Sequence, residues 1–324
     1  MDESVVTWSD GVDDVIAGDL TAAAAYLTPA GGAIVTGVAP CGLRDRDRGL
    51  VSFTTSLGLP RKLEHIISNP RVALAFHTRE HGFSASPRTV VVQGAASVDL
   101  VPHPDRLEAL IPEAERHLGD VKRGPVWDRL LREYYRERVF IDIAVERIIS
   151  WPDLAAAGQP DVYGRPLPGP PGGQDSPRNG TVPRIGMDTM VHQIAALPHR
   201  VLAYRGADGL PIVVPVAIGG HDSAGLRLVS SPDLLPPGAR RAGFLAHSYH
   251  PHLVGLSTRM FTGWLEVAAD GAAVYAPHSS RGFRAPPAKD LLLISNGLFA
   301  KYGMWNARRT GLLEKLQQLP RVDA

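Results

Sequence analysis

Leu50–Thr78 reads LVSFTTSLGLPRKLEHIISNPRVALAFHT. LVSFTT alternates apolar and polar residues, the period of a half-buried strand. It delivers Thr54, Thr55 and Ser56 to the mouth of a turn that Gly58 loosens. Pro60 suits the first position of a helix, where its missing N–H is not needed. Leu63, Ile66 and Ile67 make one apolar face at helical spacing, and Pro70 stops the helix soon after. RVALAF then reads as a strand. The turn therefore gathers hydroxyls, free backbone amides and two cations, Arg61 and Lys62, at a helix N-terminus whose dipole favours an anion. Arg grips a phosphate bidentately and Lys adds a point charge. From residue types alone two readings stand side by side: an anion site, or solvated charges on an ordinary amphipathic helix.

Working outward, AAAAYLTPAGGAIVTGVAP reads as strand, turn and strand, and GLRDRDRG as a charged hairpin loop. TVVVQGAASVDLV is strand-like. Two helices follow, with Pro104 and Pro125 at plausible first positions. VFIDIAVERIISW closes the half as a β-rich run. From about Ala155 to Arg184 the chain is crowded with Pro and Gly, which reads as an extended linker without a regular ladder. Beyond it the pattern repeats at low identity. HRVLAYRGADGLPIVVPVAIGG gives strand, turn and strand; LRLVSS answers LVSFTT; AGFLAHS answers RVALAFHT; RMFTGWLEVAA answers TVVVQGAASVD. In the repeat, Pro236-Pro237-Gly238 replace the helix, and Arg240-Arg241 adjoin a strand instead of starting one. The expected division is 1–154, a linker at 155–184, and 185–324 with a helical tail. The expected fold is mainly β with minor α: two tandem split β-barrels packed as an intrachain pseudo-dimer.

The 324 residues are 44% hydrophobic and 21% charged, with net charge +1. That is globular composition, and nothing in it points to a nucleic-acid or membrane binder. Cys41 is the sole cysteine, so no intrachain disulfide or thiolate metal cluster can form. The acidic start MDESVVTWSDGVDD lacks the pattern of a targeting segment, and a cytoplasmic location is expected.

Thr54-Thr55-Ser56, Arg61-Lys62 and Asn69-Pro70-Arg71-Val72-Ala73-Leu74 together resemble the signature of the pyridoxamine 5′-phosphate oxidase-like split-barrel superfamily. The resemblance implies that Arg61 and Lys62 bind an FMN phosphate, helped by Thr55 and Ser56. Thr89 opens the strand where family members often place a Gln near the flavin, a departure from the pattern. Family members are homodimers with a flavin at each of two equivalent interface sites. A tandem chain would rebuild that dimer internally, with one intact site. Trp264, and Trp305 and Arg308 in the tail, are candidates to cover the isoalloxazine ring; core packing or helix surface is the other reading of each. The implied activity is FMN-dependent oxidoreduction of a small organic substrate, by a monomeric pseudo-dimer or a homodimer. F420-dependent reduction, a haem-binding or haem-degrading relative, and a non-catalytic flavin binder are the alternatives. The histidines of HSYHPHLVG (His247, His250, His252), with His77 and His81, read as solvated loop residues or as metal or haem ligands.

Overall fold

The computed structural model describes residues 5–320; the first four residues of the acidic N-terminal run lie outside it. The first half comprises α1 (Asp10–Gly18), β1 (Ala22–Leu27), β2 (Ala33–Val38), β3 (Arg44–Asp45), β4 (Leu50–Ser56), α2 (Pro60–Ser68), β5 (Arg71–Phe76), β6 (Thr89–Asp99), α3 (Pro104–Leu118), α4 (Pro125–Arg136) and β7 (Arg138–Trp151). After β8 (Asp161–Gly164) and α5 (Met187–Ile194), the second half runs β9 (His199–Arg205), β10 (Pro211–Pro215), β11 (Ala217–Asp222), β12 (Gly225–Val229), β13 (Gly238–Ser248), β14 (Ser257–Val267) and β15 (Ala273–Arg284), then α6 (Lys289–Thr310) and α7 (Leu312–Gln317).

The two sheets have the same strand order. The first is β2-β1-β5-β6-β7-β4-β3 and the second β10-β9-β13-β14-β15-β12-β11, so each strand has its counterpart in the same place. All pairs are antiparallel. Even a bulge is repeated. The register slips at Gln93/Gly94 in β6 and at Thr262/Gly263 in β14. A Cβ on Gly94 would stand 1.9 Å from the Ala144 carbonyl oxygen, and one on Gly263 would stand 2.2 Å from that of Ala276. Only glycine permits the strands to close there.

Each half is a split barrel around its own core, and strand periodicity divides the side chains. Ala24, Tyr26, Val72, Leu74 and Phe76 point into the first barrel. Leu202, Tyr204, Val214, Phe244 and Ala246 point into the second. The alternate residues meet in a third core between the barrels: Ala23, Ala25, Ala73, Ala75 and Val91 against Val201, Ala203, Val213 and Leu245. Burial on both faces is why these strands read as near-continuous apolar runs. The small residues bring the sheets close; a Cβ on Gly243 would lie 2.6 Å from the Ala33 carbonyl oxygen. This is the dimer-like seam, made within one chain.

One feature departs from the sequence reading. The Pro/Gly-rich segment does form a short ladder, because β8 pairs with Arg147–Ser150 of β7. It also straps the barrels: Gln174 donates from its side chain to Gly31 O (3.1 Å) and accepts from Arg241 N (3.0 Å). The helical tail crosses to the other half. Met304, Ala307, Leu312 and Leu316 of α6 and α7 join the core of the first barrel with Leu63, Ile66 and Ile67 of α2.

The seam and the crossing tail together predict that tethering is dispensable. A chain nicked at a protease site placed near Gly172, whose surroundings are open, should elute as one species in size-exclusion chromatography. Fragments that part without denaturant would overturn the pseudo-dimer.

Candidate functional site

The turn between β4 and α2 is built as its residue types require. Thr54, Thr55 and Ser56 pair with Phe140, Val139 and Arg138 of β7. The Ser56 hydroxyl accepts from Gly58 N at 3.1 Å, which shapes the turn. Pro60 opens α2, and no side chain caps the helix start. Period-two alternation divides the hydroxyls: Thr55 shares the inward face of Phe53, whereas Thr54 and Ser56 face the other way. Lys62 joins the inward pair, its ammonium 5.9 Å from the Phe53 ring centroid. Burial pulls that ammonium down to about 8. Among the described residues neither Lys62 nor Arg61 has an ion-pair partner, and Arg61 is exposed. The counterpart stretch before β13 has no helix. Arg240 turns inward there and donates to the Pro236 (3.0 Å) and Pro237 (2.7 Å) carbonyls.

α6 lies over this turn. A Cβ on Gly303 would come within 2.8 Å of Gly58 Cα, so two glycines make the crossing possible. The tail therefore reaches the first half, as a cover should. Of its two expected cover residues, however, Trp305 faces away. Trp305 is two positions, hence roughly 200°, from Gly303 on the helix; it is exposed and packs on Tyr302 and Arg309. Arg308 donates at 3.4 Å to Glu137, which caps α4 one residue before Arg138, the partner of Ser56. Trp264 is sealed in β14 beneath Arg241. Thr89 is also elsewhere: it pairs with Trp151, whereas Thr54 pairs with Phe140, which faces Asp99 at the other end of β6. Ten residues of strand, about 33 Å of path, separate the two levels. The structure thus sets Thr55 and Lys62 on one face of the turn, with Arg61 exposed beside them and Thr54 and Ser56 on the other face; it brings Arg308 to the end of β7 that pairs with Ser56, and places Thr89, Trp264 and Trp305 away from the turn.

A second polar cluster sits in the seam, and here the solvated-loop reading is corrected for two histidines. His77 and His247 are both buried and meet with Nε2 atoms 2.9 Å apart. The pairing follows from the repeat. Tyr26 pairs with Val72 and Tyr204 with Ala242; five residues beyond each partner stands a histidine, at equivalent points beside the pseudo-two-fold. His77 Nδ1 donates to the Ala75 carbonyl at 3.1 Å. Its Nε2 must then accept from His247 Nε2–H, which leaves His247 Nδ1 as an acceptor without a partner. Burial holds His77 down to about 4 and His247 well below its usual value, so both are neutral at pH 7. Around them His199 contacts Glu80 at 3.0 Å, and Tyr249 bonds the Thr78 hydroxyl. Arg79 pairs with buried Asp19, whose carboxyl is pushed up by desolvation. Among the described residues no group of three or more His, Cys, Asp or Glu could hold a metal ion. His81, His250 and His252 are exposed.

The depressed imidazoles give a pH prediction. The unfolded chain binds protons near 6.5 that the folded chain refuses until about 4 at His77. Stability therefore falls as pH falls through that window, by about 1.4 kcal/mol per unit for each ring. Urea midpoints at pH 7 and pH 5 should differ clearly in the wild type. The His77→Leu/His247→Leu double variant should lose at least half of that difference.

No protein-family model matches the chain. No curated protein matches it either. Solved structures do. A pyridoxamine 5′-phosphate oxidase-related, FMN binding protein from Nostoc punctiforme is 10% identical, covers 61% of this chain and 88% of its own, and gives a TM-score of 0.29. A heme binding protein from Mycobacterium smegmatis is 12% identical over 92% of this chain and 99% of its own, with a TM-score of 0.32. An F420 reductase is 17% identical over 44% of this chain and 98% of its own, also with a TM-score of 0.32. Scores this low carry no weight for function, and the two-barrel architecture rests on the strand orders and registers above. No described helix is long and apolar enough to cross a membrane.

Proposed function

We propose that the chain binds a phosphate-bearing flavin-type cofactor, FMN, at the head of α2, and through it acts as an oxidoreductase on a small organic substrate. Lys62 is the observation that carries this reading. A half-buried ammonium without a carboxylate is costly unless an anion completes it. Here it lies over Phe53, on the face that Thr55 shares, at an uncapped helix start with Arg61 next in sequence. The residues present therefore fit a phosphate. Lys62 would supply the charge, Arg61 the bidentate donors and Thr55 a hydroxyl. When bound, FMN supplies hydride chemistry that no side chain here performs. The proposed division stays 1–154, 155–184 and 185–324, with one site per chain, because the stretch before β13 offers neither helix nor Arg-Lys pair.

F420 shares the phosphate, so absorbance titration must separate the cofactors. FMN should saturate at one per chain, and the bound flavin should be reduced by a nicotinamide or oxidised by a substrate. Two equal sites would contradict the single anchor. Binding without turnover across a broad substrate panel would leave a carrier, and no binding of FMN or F420 would remove the site.

A further inference from the structure

Helix α6 buries one face and leaves the opposite face strongly apolar. Leu291, Ile294, Leu298, Tyr302 and Trp305 all lie within roughly 40° of one line along the helix, and all are exposed, Leu298 by 56% and Tyr302 by 66%. Phe299 flanks them at 63%. The buried face, Gly297, Ala300, Gly303, Met304 and Ala307, points the other way, onto α4 and the β4–α2 turn. A continuous patch of this kind on a soluble domain marks an interaction surface.

The order of the stripe says what covers it. Leu291 and Trp305 stand seven residues either side of Leu298, and Ile294 and Tyr302 stand four either side. The stripe therefore reads the same, large residue against large residue, when a second helix runs antiparallel to it. The charges agree. Asp290 and Arg308 flank the stripe on the same side, near its two ends, roughly 80° from its midline. In an antiparallel pair centred on Leu298, Asp290 lies within about 3 Å of helix rise of the partner's Arg308. Both present contacts of these groups, Asp290 with Lys122 at 3.2 Å and Arg308 with Glu137 at 3.4 Å, are exposed ion pairs open to sharing. At the observed exposures the six apolar side chains offer roughly 600 Å² per copy, so a pair reaches roughly 1,200 Å², the lower bound of a specific interface.

We propose that α6 is a homodimerisation helix, in which two copies of this chain pack their α6 helices antiparallel about a two-fold axis through Leu298. This interface differs from the seam between the barrels, which is already filled within one chain. The two-fold brings residue 298 onto its own copy and Trp305 onto the partner's Leu291. A membrane-surface helix is the competing occupant. It calls for a strongly basic polar flank, whereas the basic groups here, Lys122, Lys301, Arg308 and Arg309, stand among Asp290, Glu133 and Glu137, and three of the four are ion-paired with them.

Sedimentation at micromolar concentration should give about twice the 34.8 kDa chain mass. Leu298→Arg, which sets two like charges on the dyad, should give the chain mass with unchanged circular dichroism. Leu298→Cys should form a cross-linked dimer on mild oxidation, because a dyad position brings two Cα atoms within disulfide reach. The native Cys41 is buried, with its thiol pushed up to about 11, and will not compete. Val126→Cys, exposed on α4, should not cross-link. A monomeric wild type, a dimer that survives Leu298→Arg, or a Leu298→Cys chain that stays uncross-linked would overturn the proposal. So would wild-type binding to phosphatidylserine–phosphatidylcholine vesicles that Leu298→Arg abolishes, which would assign the stripe to a lipid surface. If Leu298→Arg fails to fold, the cysteine variant decides alone.

Discussion

Replacing Arg61 and Lys62 together by alanine should weaken FMN binding by a hundredfold or more, while the protein without cofactor becomes no less stable. Each charge-assisted hydrogen bond to the phosphate is worth roughly 1.5–3 kcal/mol, and about 1.4 kcal/mol is a factor of ten. The stability half of the expectation comes from Lys62. Its ammonium is held down to about 8 by burial with no opposing charge, so the folded chain releases a proton that the unfolded chain keeps until about 10.4. In that window stability rises with pH, and below it the buried charge is a standing cost that alanine removes. A phosphate beside Lys62 reverses the shift. FMN affinity should therefore fall as pH rises above 8 in the wild type, and should be nearly flat there in Lys62→Met. Fluorescence titration at pH 7 and pH 9.5 measures both. Unchanged affinity in the double variant, or a pH profile indifferent to Lys62, would remove the anchor.

The second large effect belongs to Arg147. Its guanidinium is fully buried and ties together four separate parts of the chain. Nε donates to Gln93 of β6, one terminal nitrogen to the Pro166 carbonyl of the strap, and the other to Asp208 in the hairpin between β9 and β10, each at 2.7 Å. Gln93 in turn donates to the Pro211 carbonyl. Arg147→Ala leaves Asp208, Gln93 and a carbonyl without their donor in a closed space. Breaking a buried pair by removing one partner costs about 3–5 kcal/mol. The variant should show that loss in urea unfolding. Arg147→Ala combined with Asp208→Asn should cost less than the sum of the two single changes. Additive costs would mean that the cluster is not a unit.

Much of this architecture can be read from residue order. The helix at Pro60, its absence at Pro236-Pro237-Gly238, and the helix starts at Pro104 and Pro125 follow from proline's missing donor and fixed φ. The repeat was visible in AGFLAHS and RVALAFHT, whose strands β13 and β5 hold equivalent places. The meeting of His77 and His247 was present in the same alignment, since equivalent residues near a two-fold axis face each other. Read singly, each histidine resembled a loop residue. The buried face of the tail was less legible. KDLLLISNGLFAKYGMWNARRT carries apolar residues on two opposite faces, so periodicity cannot say which one is buried. Only Gly58 and Gly303 settle it, by a close approach between residues far apart in sequence. Likewise, the reach of Thr89 and Trp264 depends on register and facing, which residue types do not encode.

The return of α6 and α7 to the first barrel has a consequence for how the protein is made. A ribosome releases the N-terminal half long before residues 304–316 exist. Until then the groove that Met304, Leu312 and Leu316 will fill, and the alanine-rich seam face of β1 and β5, stay open to water. The first barrel therefore matures last, although it is synthesised first. A fragment ending near residue 184 should behave as a sticky, loosely packed intermediate, not as an independent domain, and supplying 185–324 in trans should rescue it.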